Sequence, residues 1–380
     1  MALPRARHWN ARMSRSSSLL LDFSPALEPS GKPLQDGLSV AAFRENTLWL
    51  ANDETLRLER LTLRASGATN AVASDHVAFS LADCLDLPIP PGANPEAVEE
   101  ADLEGLDWVD DTLWLVGSHS LKRKRPKPDD DADKAVDKLA QIGRDGNRYL
   151  LACLPLARDG ASWRPVRRDG QRHAASLKGD AHGNRLTEAL GDDEHLAPFL
   201  ALPGKDNGFD IEGLAVIDGR VFLGLRGPVL RGWAVILELR PKIDPDSPRR
   251  LRLHPPGGGT RVYRKHFLQL GGLGVRDLCR QGDDLLILAG PSMELDGPVR
   301  VLRWVGAARP HKAGAVIPAA DLPVLLELPY GQGVDHAEGM TLFSPDGGDS
   351  PALLVVYDAA DDARKRGGHG VMADIFPLPG

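Results

Sequence analysis

Asp102–Ser120, "DLEGLDWVDDTLWLVGSHS", and Asp210–Pro228, "DIEGLAVIDGRVFLGLRGP", are two versions of one phrase. Each opens on an acid, an apolar residue, Glu and Gly, then runs as a short apolar strand. A turn rich in Asp or Gly follows, and a second strand leaves it, the pattern of a tight β-hairpin. A core strand needs neither an ionised side chain nor a glycine, so a Glu-Gly pair used twice in one setting needs a cause.

The phrase recurs along the chain. Asp36-Gly37-Leu38, Glu104-Gly105-Leu106, Glu212-Gly213-Leu214, Arg276-Asp277-Leu278 and Glu338-Gly339-Met340 form a series with separations of 68, 108, 64 and 62 residues. The turns "RENT", "VDDT", "IDGR" and "QGDD" close the first four hairpins. Downstream runs such as "LRLERLTL", "WAVILELR" and "VRVLRWV" supply further strands. Four antiparallel strands in a unit of about sixty residues predict a β-propeller blade.

Five units predict an all-β, five-bladed propeller over residues 18–380, preceded by a disordered basic tail at 1–17. The last unit contains one strand too few, ending at "VMADIFPL", and "SSLLLDFSP" at the N-terminus is the natural fourth. Pairing of the two chain ends would close the ring and leave no open edge there. The long gap is assigned to two insertions, 121–147 and 158–195. A divergent sixth blade within it is the alternative.

In such a ring the first strand of each blade lines the channel, so Asp36, Glu104, Glu212, Arg276 and Glu338 are expected at one mouth. The glycines let inner strands approach closely. Second-strand ends bring Asn52, Ser118, His119 and Arg226 to the same mouth, and His336 stands two positions before Glu338. Converging carboxylates repel unless a positive charge joins them. Asp36, Glu104, Glu212 and Glu338 are therefore the expected ligands of a divalent cation, calcium first, with magnesium or manganese possible by their hard oxygen donors. The competing account makes the Glu residues glue, bonded to backbone N–H groups of the next blade.

The blade motifs "DLEGL", "DIEGL" and "HAEGM" resemble those of a bacterial propeller family of uncharacterised function. More distantly the chain is similar to phytase-like ("esterase-like activity of phytase") domains. The resemblance spans most of residues 30–378 in short pieces and implies a propeller with a calcium-dependent phosphoesterase or lactonase activity. Asp36 and Arg276 depart from the Glu position, which implies an off-axis site.

The resulting expectation is a metal-dependent hydrolase of a phosphoester or lactone. His119 or His336 would move the proton, with Arg226 also catalytic, and Arg276, Asn52 and Ser118 would bind substrate. A non-enzymatic binding or scaffold propeller with a structural carboxylate ring is the alternative. The partner is a small anionic molecule or a protein at the mouth. The insertion "LKRKRPKPDDDADKAVDKLAQIGRDG" (121–146) should hang over that mouth, as a lid or as a solvated excursion whose charges cancel. The second insertion should leave from the far face.

Other classes lack their signals. Among 380 residues, a net charge of −7 argues against a nucleic-acid surface. Three distant cysteines suggest no disulfide framework. Leu19–Leu21 is too short a run for a membrane span, and a cytoplasmic location is expected. No GxSxG elbow and no HExxH appears.

Overall fold

The computed structural model describes residues 17–27, 33–64, 71–92, 100–311, 313–345 and 352–379. The chain is all-β, and its organising elements are five hairpins. Their first strands are Leu38–Arg44, Leu103–Val109, Asp210–Ile217, Gly274–Gln281 and His336–Phe343. These five contact one another in cyclic order, the last returning to the first. The expected turns are present as two-residue connections with left-handed backbone at Glu45, Asp110, Asp218 and Gly282, which matches the twist of paired strands.

Further antiparallel strands extend each hairpin outward. In the first unit they are Arg57–Arg64 and Ala71–Ser80, and in the fourth Val299–Trp304 and Val324–Leu328. The fifth unit continues from Ala352–Asp358 to Gly370–Pro377 and then to the N-terminal strand Ser17–Asp22. That last pairing is antiparallel, with Ser17 opposite Ile375 and Asp22 opposite Gly370. Residues 1–16, the rest of the expected tail, lie outside the described residues. Among the described residues no helix is long and apolar enough to cross a membrane.

The apolar core is divided into five clusters, each lying between neighbouring units. Trp49 and Leu58 meet Leu106 and Leu115 between the first and second. Val116 and Leu151 meet Leu214 and Leu223 between the second and third. The series continues to Leu19, Leu50 and Leu354 between the fifth and first. Burial between units, and not within a unit, is what fixes the ring.

The glycines of the motif answer to this crowding. A Cβ on Gly105 would stand 2.6 Å from Leu214 Cβ and 2.9 Å from the Leu214 backbone nitrogen in the next unit. On Gly213 it would meet Asp277 and Leu278 backbone at 3.0 Å, and on Gly339 the Val40 Cα at 2.8 Å. The preceding residue is the extra one of a β-bulge in every unit. Register shifts fall between Leu103/Gly105, Ile211/Gly213, Val275/Asp277 and Ala337/Gly339. Bulges re-aim a side chain, and here they carry Glu104, Glu212, Arg276 and Glu338.

One alignment in the sequence needs correction. The first unit's bulge falls between Leu38 and Val40, so the counterpart of Glu104 is Ser39, three residues beyond Asp36. Ser39 is buried and its hydroxyl donates to Leu103 O at 2.6 Å. Asp36 instead ends a 3-10 turn ahead of the strand. The glue expected of the Glu residues is supplied by other side chains. Asp107 accepts from Val216 N at 2.6 Å, Asp277 from Met340 N at 2.7 Å, and Thr341 from Phe43 N at 3.1 Å. Each bond crosses from one unit to the next.

Two outcomes follow from these contacts. Gly105→Ala should lose about 1–3 kcal/mol, the usual penalty of overpacking, read as a lower urea midpoint; an unchanged midpoint would refute the crowding argument. Burial pushes the Asp107 carboxyl from 3.8 up to about 6. Its contribution is therefore full below about pH 4 and lost as pH rises through about 6. Wild-type stability should fall across that window relative to Asp107→Asn, whose profile there should be flatter.

Candidate functional site

The mouth on the motif side opens into two adjoining cavities of about 560 and 780 Å³. Asp53, Arg226, Glu338 and Asp358 border both. The bulges and second-strand ends place these side chains, since both end on the same rim of antiparallel hairpins.

Guanidinium groups organise the floor. Arg226 holds Asp210 through Nη2 and Glu212 through Nη1, each at 2.6 Å. Arg276 reaches Glu212 Oε2 through Nε at 3.0 Å, short in distance but without hydrogen-bond alignment, and pairs Glu338 through Nη2. Arg148 binds Asp102 at 2.9 Å and Glu100 at 2.9 Å, and also donates to Ser120 Oγ at 2.8 Å. Asp36 is neutralised by Lys365 at 2.9 Å. The pairs are buried or half-buried, so removing one partner strands a charge.

Glu104 is the exception. Its half-buried carboxylate borders the smaller cavity and has no hydrogen-bond or ion-pair partner among the described residues. Burial, reinforced by Asp102, Glu212, Asp53 and Asp210, holds it well above the usual carboxylate range. Burial also pushes Asp210 up to about 7, against the pull of Arg226. The floor thus contains a carboxyl whose charged form is disfavoured by burial and by neighbouring acids while it borders open space, a setting common to groups that trade protons with a ligand.

The first insertion forms the wall above this floor. Lys122–Arg123 pairs antiparallel with Ile142–Gly143, and the helix Ala132–Ala140 lies between them. Lys122, Lys124, Arg125 and Leu139 border the smaller cavity. Lys122 pairs with Glu100, Arg123 with Asp206 at 2.7 Å, and Arg125 with Glu294 at 3.1 Å. The charge blocks therefore do not simply cancel within the insertion, for these three basic side chains reach acids elsewhere on the mouth. The second insertion does leave from the far end, after Asp159, but its later part returns. Asn184 Nδ2 lies 2.7 Å from Tyr149 O and 2.7 Å from His119 Nε2.

Several expected site residues are displaced by these facts. His119 is only 3% exposed. Its Nδ1 lies 2.7 Å from Gly117 O, and Asn184 occupies its other nitrogen. Burial drives it down to about 4, so it is a neutral structural residue and not a proton carrier. Ser118 is buried against Ser120 and Arg148. Asn52 bonds Leu34 O and Glu54 N beneath the surface. Neither borders the cavities. The cation cage of Asp36, Glu104, Glu212 and Glu338 does not form either, because Lys365, Arg226 and Arg276 already occupy three of the four. His336 stays on the rim, with Nε2 3.4 Å from Asp296.

Among the described residues the one set of side chains close enough to share a metal ion is Asp193, Glu194 and His195. The Lys265 ammonium sits there instead, at 2.8 and 2.7 Å from the Asp193 oxygens, 3.0 Å from Glu194 and 2.9 Å from His195 Nδ1.

A family model described as "Protein of unknown function (DUF3616)" matches residues 37–374. The chain belongs to that family. No curated protein matches its sequence. Solved structures similar to it include the glutaminyl cyclase of Myxococcus xanthus, at 10% identity and a TM-score of 0.35, over 96% of this chain and 97% of that one. The PQQ-bound aldose sugar dehydrogenase of Streptomyces coelicolor aligns at 13% identity and a TM-score of 0.37, over 91% and 96%. The β-propeller domain of Vanderwaltozyma polyspora Nup133 aligns at 8% and 0.32, over 90% and 71%. At these scores the likenesses transfer no activity.

Sequence reasoning placed Asp358 at the mouth with the other second-strand ends, but missed Arg148 and Lys205. Arg148 comes from the last turn of an insertion, outside every repeat, and only folding returns it to Asp102. Arg276, which breaks the Glu pattern, was the one sequence signal that arginine supplies the counter-charge.

Arg276→Met should leave Glu212 and Glu338 with one guanidinium fewer and destabilise the fold by about 3–5 kcal/mol, as for a broken buried pair. Millimolar calcium should raise the melting temperature of that variant while leaving wild type unmoved. Equal calcium response in both proteins would show that a cation site exists beside the arginines.

Proposed function

We propose that this chain is a five-bladed β-propeller whose channel mouth binds a small charged molecule, with Glu104 as the group that gains or loses a proton there. The blade count is supported by five inner hairpins in cyclic contact, five inter-unit cores and the Ser17–Asp22 pairing at the junction of chain ends. The binding reading is carried by one observation: Glu104 borders an open cavity and, unlike Glu212 and Glu338, makes no ion pair or hydrogen bond among the described residues, Arg226 acting on it only from a distance. Small-molecule pockets commonly measure about 300–1,000 Å³ and converge a few polar groups. The mouth meets both conditions, which favours a small ligand over a protein platform.

Hydrolysis of a bound phosphoester or lactone is the second reading, favoured by the raised carboxyl of Glu104. A protonated carboxyl at that place would donate to a leaving oxygen as a general acid. A metal-assisted route is not part of either reading, since lysine and arginine hold three of its four expected ligands.

A panel of charged metabolites screened by thermal shift tests the site. Compounds that stabilise wild type should lose most of that effect in Glu104→Gln and in Asp358→Asn. A set of stabilising compounds indifferent to both substitutions would place binding elsewhere. Elemental mass spectrometry of the untagged protein should find no stoichiometric calcium, magnesium or manganese; one tightly held equivalent would restore the metal reading.

A further inference from the structure

Pairing off the charges around the mouth leaves a pattern. Most lining groups are committed to one another through the ion pairs described above. On the floor, among the described residues, Glu104 makes no hydrogen bond or ion pair, and the Asp358 carboxylate accepts only from the Ala359 backbone N–H, at 2.7 Å. At the rim the uncommitted groups have the opposite sign. Lys124 bonds a neutral Gln141 oxygen at 3.2 Å, and Lys205 has no side-chain partner among the described residues. Both lysines are exposed and both border the cavity of about 560 Å³, as do Glu104 and Asp358.

We infer that the ligand of this mouth is a small zwitterion, with an ammonium group seated against Glu104 and Asp358 and a phosphate or carboxylate held by Lys124 and Lys205. The inference rests on the reading of the mouth as a binding site and names the ligand class. Three physical points carry it. A cation is the missing ion-pair partner of a carboxyl that Asp102, Glu212, Asp53 and Asp210 crowd with like charge and that Arg226 reaches only from a distance. An anion is the missing neighbour of lysines that find no carboxylate of their own. The two ends are carried by different layers, the floor by inner and second strands and the rim by loops, and all four side chains border one cavity of about 560 Å³. Arg125, 82% exposed in its pair with Glu294, can exchange that partner for the anion at little cost.

Burial raises the Glu104 carboxyl and an ammonium beside it would lower it again, so binding should be accompanied by proton release. The test is isothermal titration calorimetry of the full chain near neutrality, in two buffers of different ionisation enthalpy. The probes are phosphoethanolamine, ethanolamine and inorganic phosphate. Phosphoethanolamine should bind at least about tenfold more tightly than either part, a difference well within calorimetric reach, and with proton release. Glu104→Gln should weaken it and abolish the release. The surface double variant Lys124→Met/Lys205→Met, which touches no buried group, should remove the preference over ethanolamine and leave ethanolamine binding unchanged.

Equal affinities for phosphoethanolamine and ethanolamine overturn the inference, as does inorganic phosphate binding as well as the whole probe. Failure of all three probes also overturns it. The site reading itself then stands or falls separately, on whether any panel compound depends on Glu104 and Asp358. Co-sedimentation with vesicles of phosphatidylethanolamine and phosphatidylcholine, without binding of the soluble probe, would identify a lipid surface and also overturn it. Soluble binding without sedimentation supports a free small molecule.

Discussion

Five inner strands approach one axis closely enough that some positions admit no Cβ. Gly105 lies against Leu214, Gly213 against Leu278 and Gly339 against Val40, and the rest of the molecule depends on these approaches. They bring neighbouring hairpins near enough to seal five apolar seams between units. They also coincide with the β-bulges that put one residue per unit out of the ladder. A residue released from regular pairing in this way can be polar without breaking the sheet. The Glu-Gly pair is thus one device with two halves, a glycine that permits the packing and a side chain that the packing presents to the mouth.

Presentation creates an electrostatic problem, and arginine solves it. Glu212 lies between Arg226 and Arg276, and Glu338 shares Arg276. Buried like charges favour any counter-ion. A guanidinium can serve two carboxylates that lie side by side, because its several donors fork between them. The second unit takes its counter-charge differently. Arg148 comes from an insertion and binds Asp102 and Glu100, which leaves Glu104 unmatched. The asymmetry of the mouth follows from that choice, since a ring with an arginine at every bulge would leave no carboxylate unpaired.

Stability and function are separated by side-chain position along the same strands. Asp107 and Asp277 also sit on inner strands, yet they accept backbone N–H groups of the next unit and hold the ring together. Of the bulge residues, Glu104, Arg276 and Glu338 border the mouth cavities, and Glu104 alone of these makes no ion pair or hydrogen bond among the described residues. Left-handed backbone occurs at the mouth, at Asp102 and Ala359, as well as in the hairpin turns at the opposite end. Such conformations persist where surrounding bonds hold them, and the His119 backbone N–H donates to Arg148 O at 3.0 Å.

The repeated hairpins, their turns, the glycines and the terminal strand pair were legible in the sequence, because each is a local pattern governed by strand periodicity and turn geometry. Four of the five bulge residues could be named from the motif alone. The fifth could not, since Asp36-Gly37-Leu38 imitates the motif and only strand register shows that Ser39 holds the place. Which charges meet was also beyond the sequence. Ion pairing depends on distance, and the partners lie tens to hundreds of residues apart, as with Asp36 and Lys365 or Glu212 and Arg276. His119 looked reactive by residue type, and its burial against Asn184 was decided by an insertion. Sequence determined the repeating backbone, since periodicity and turns are properties of neighbours. Tertiary structure alone decided which carboxyl is left unpaired, since that is a property of everything around it.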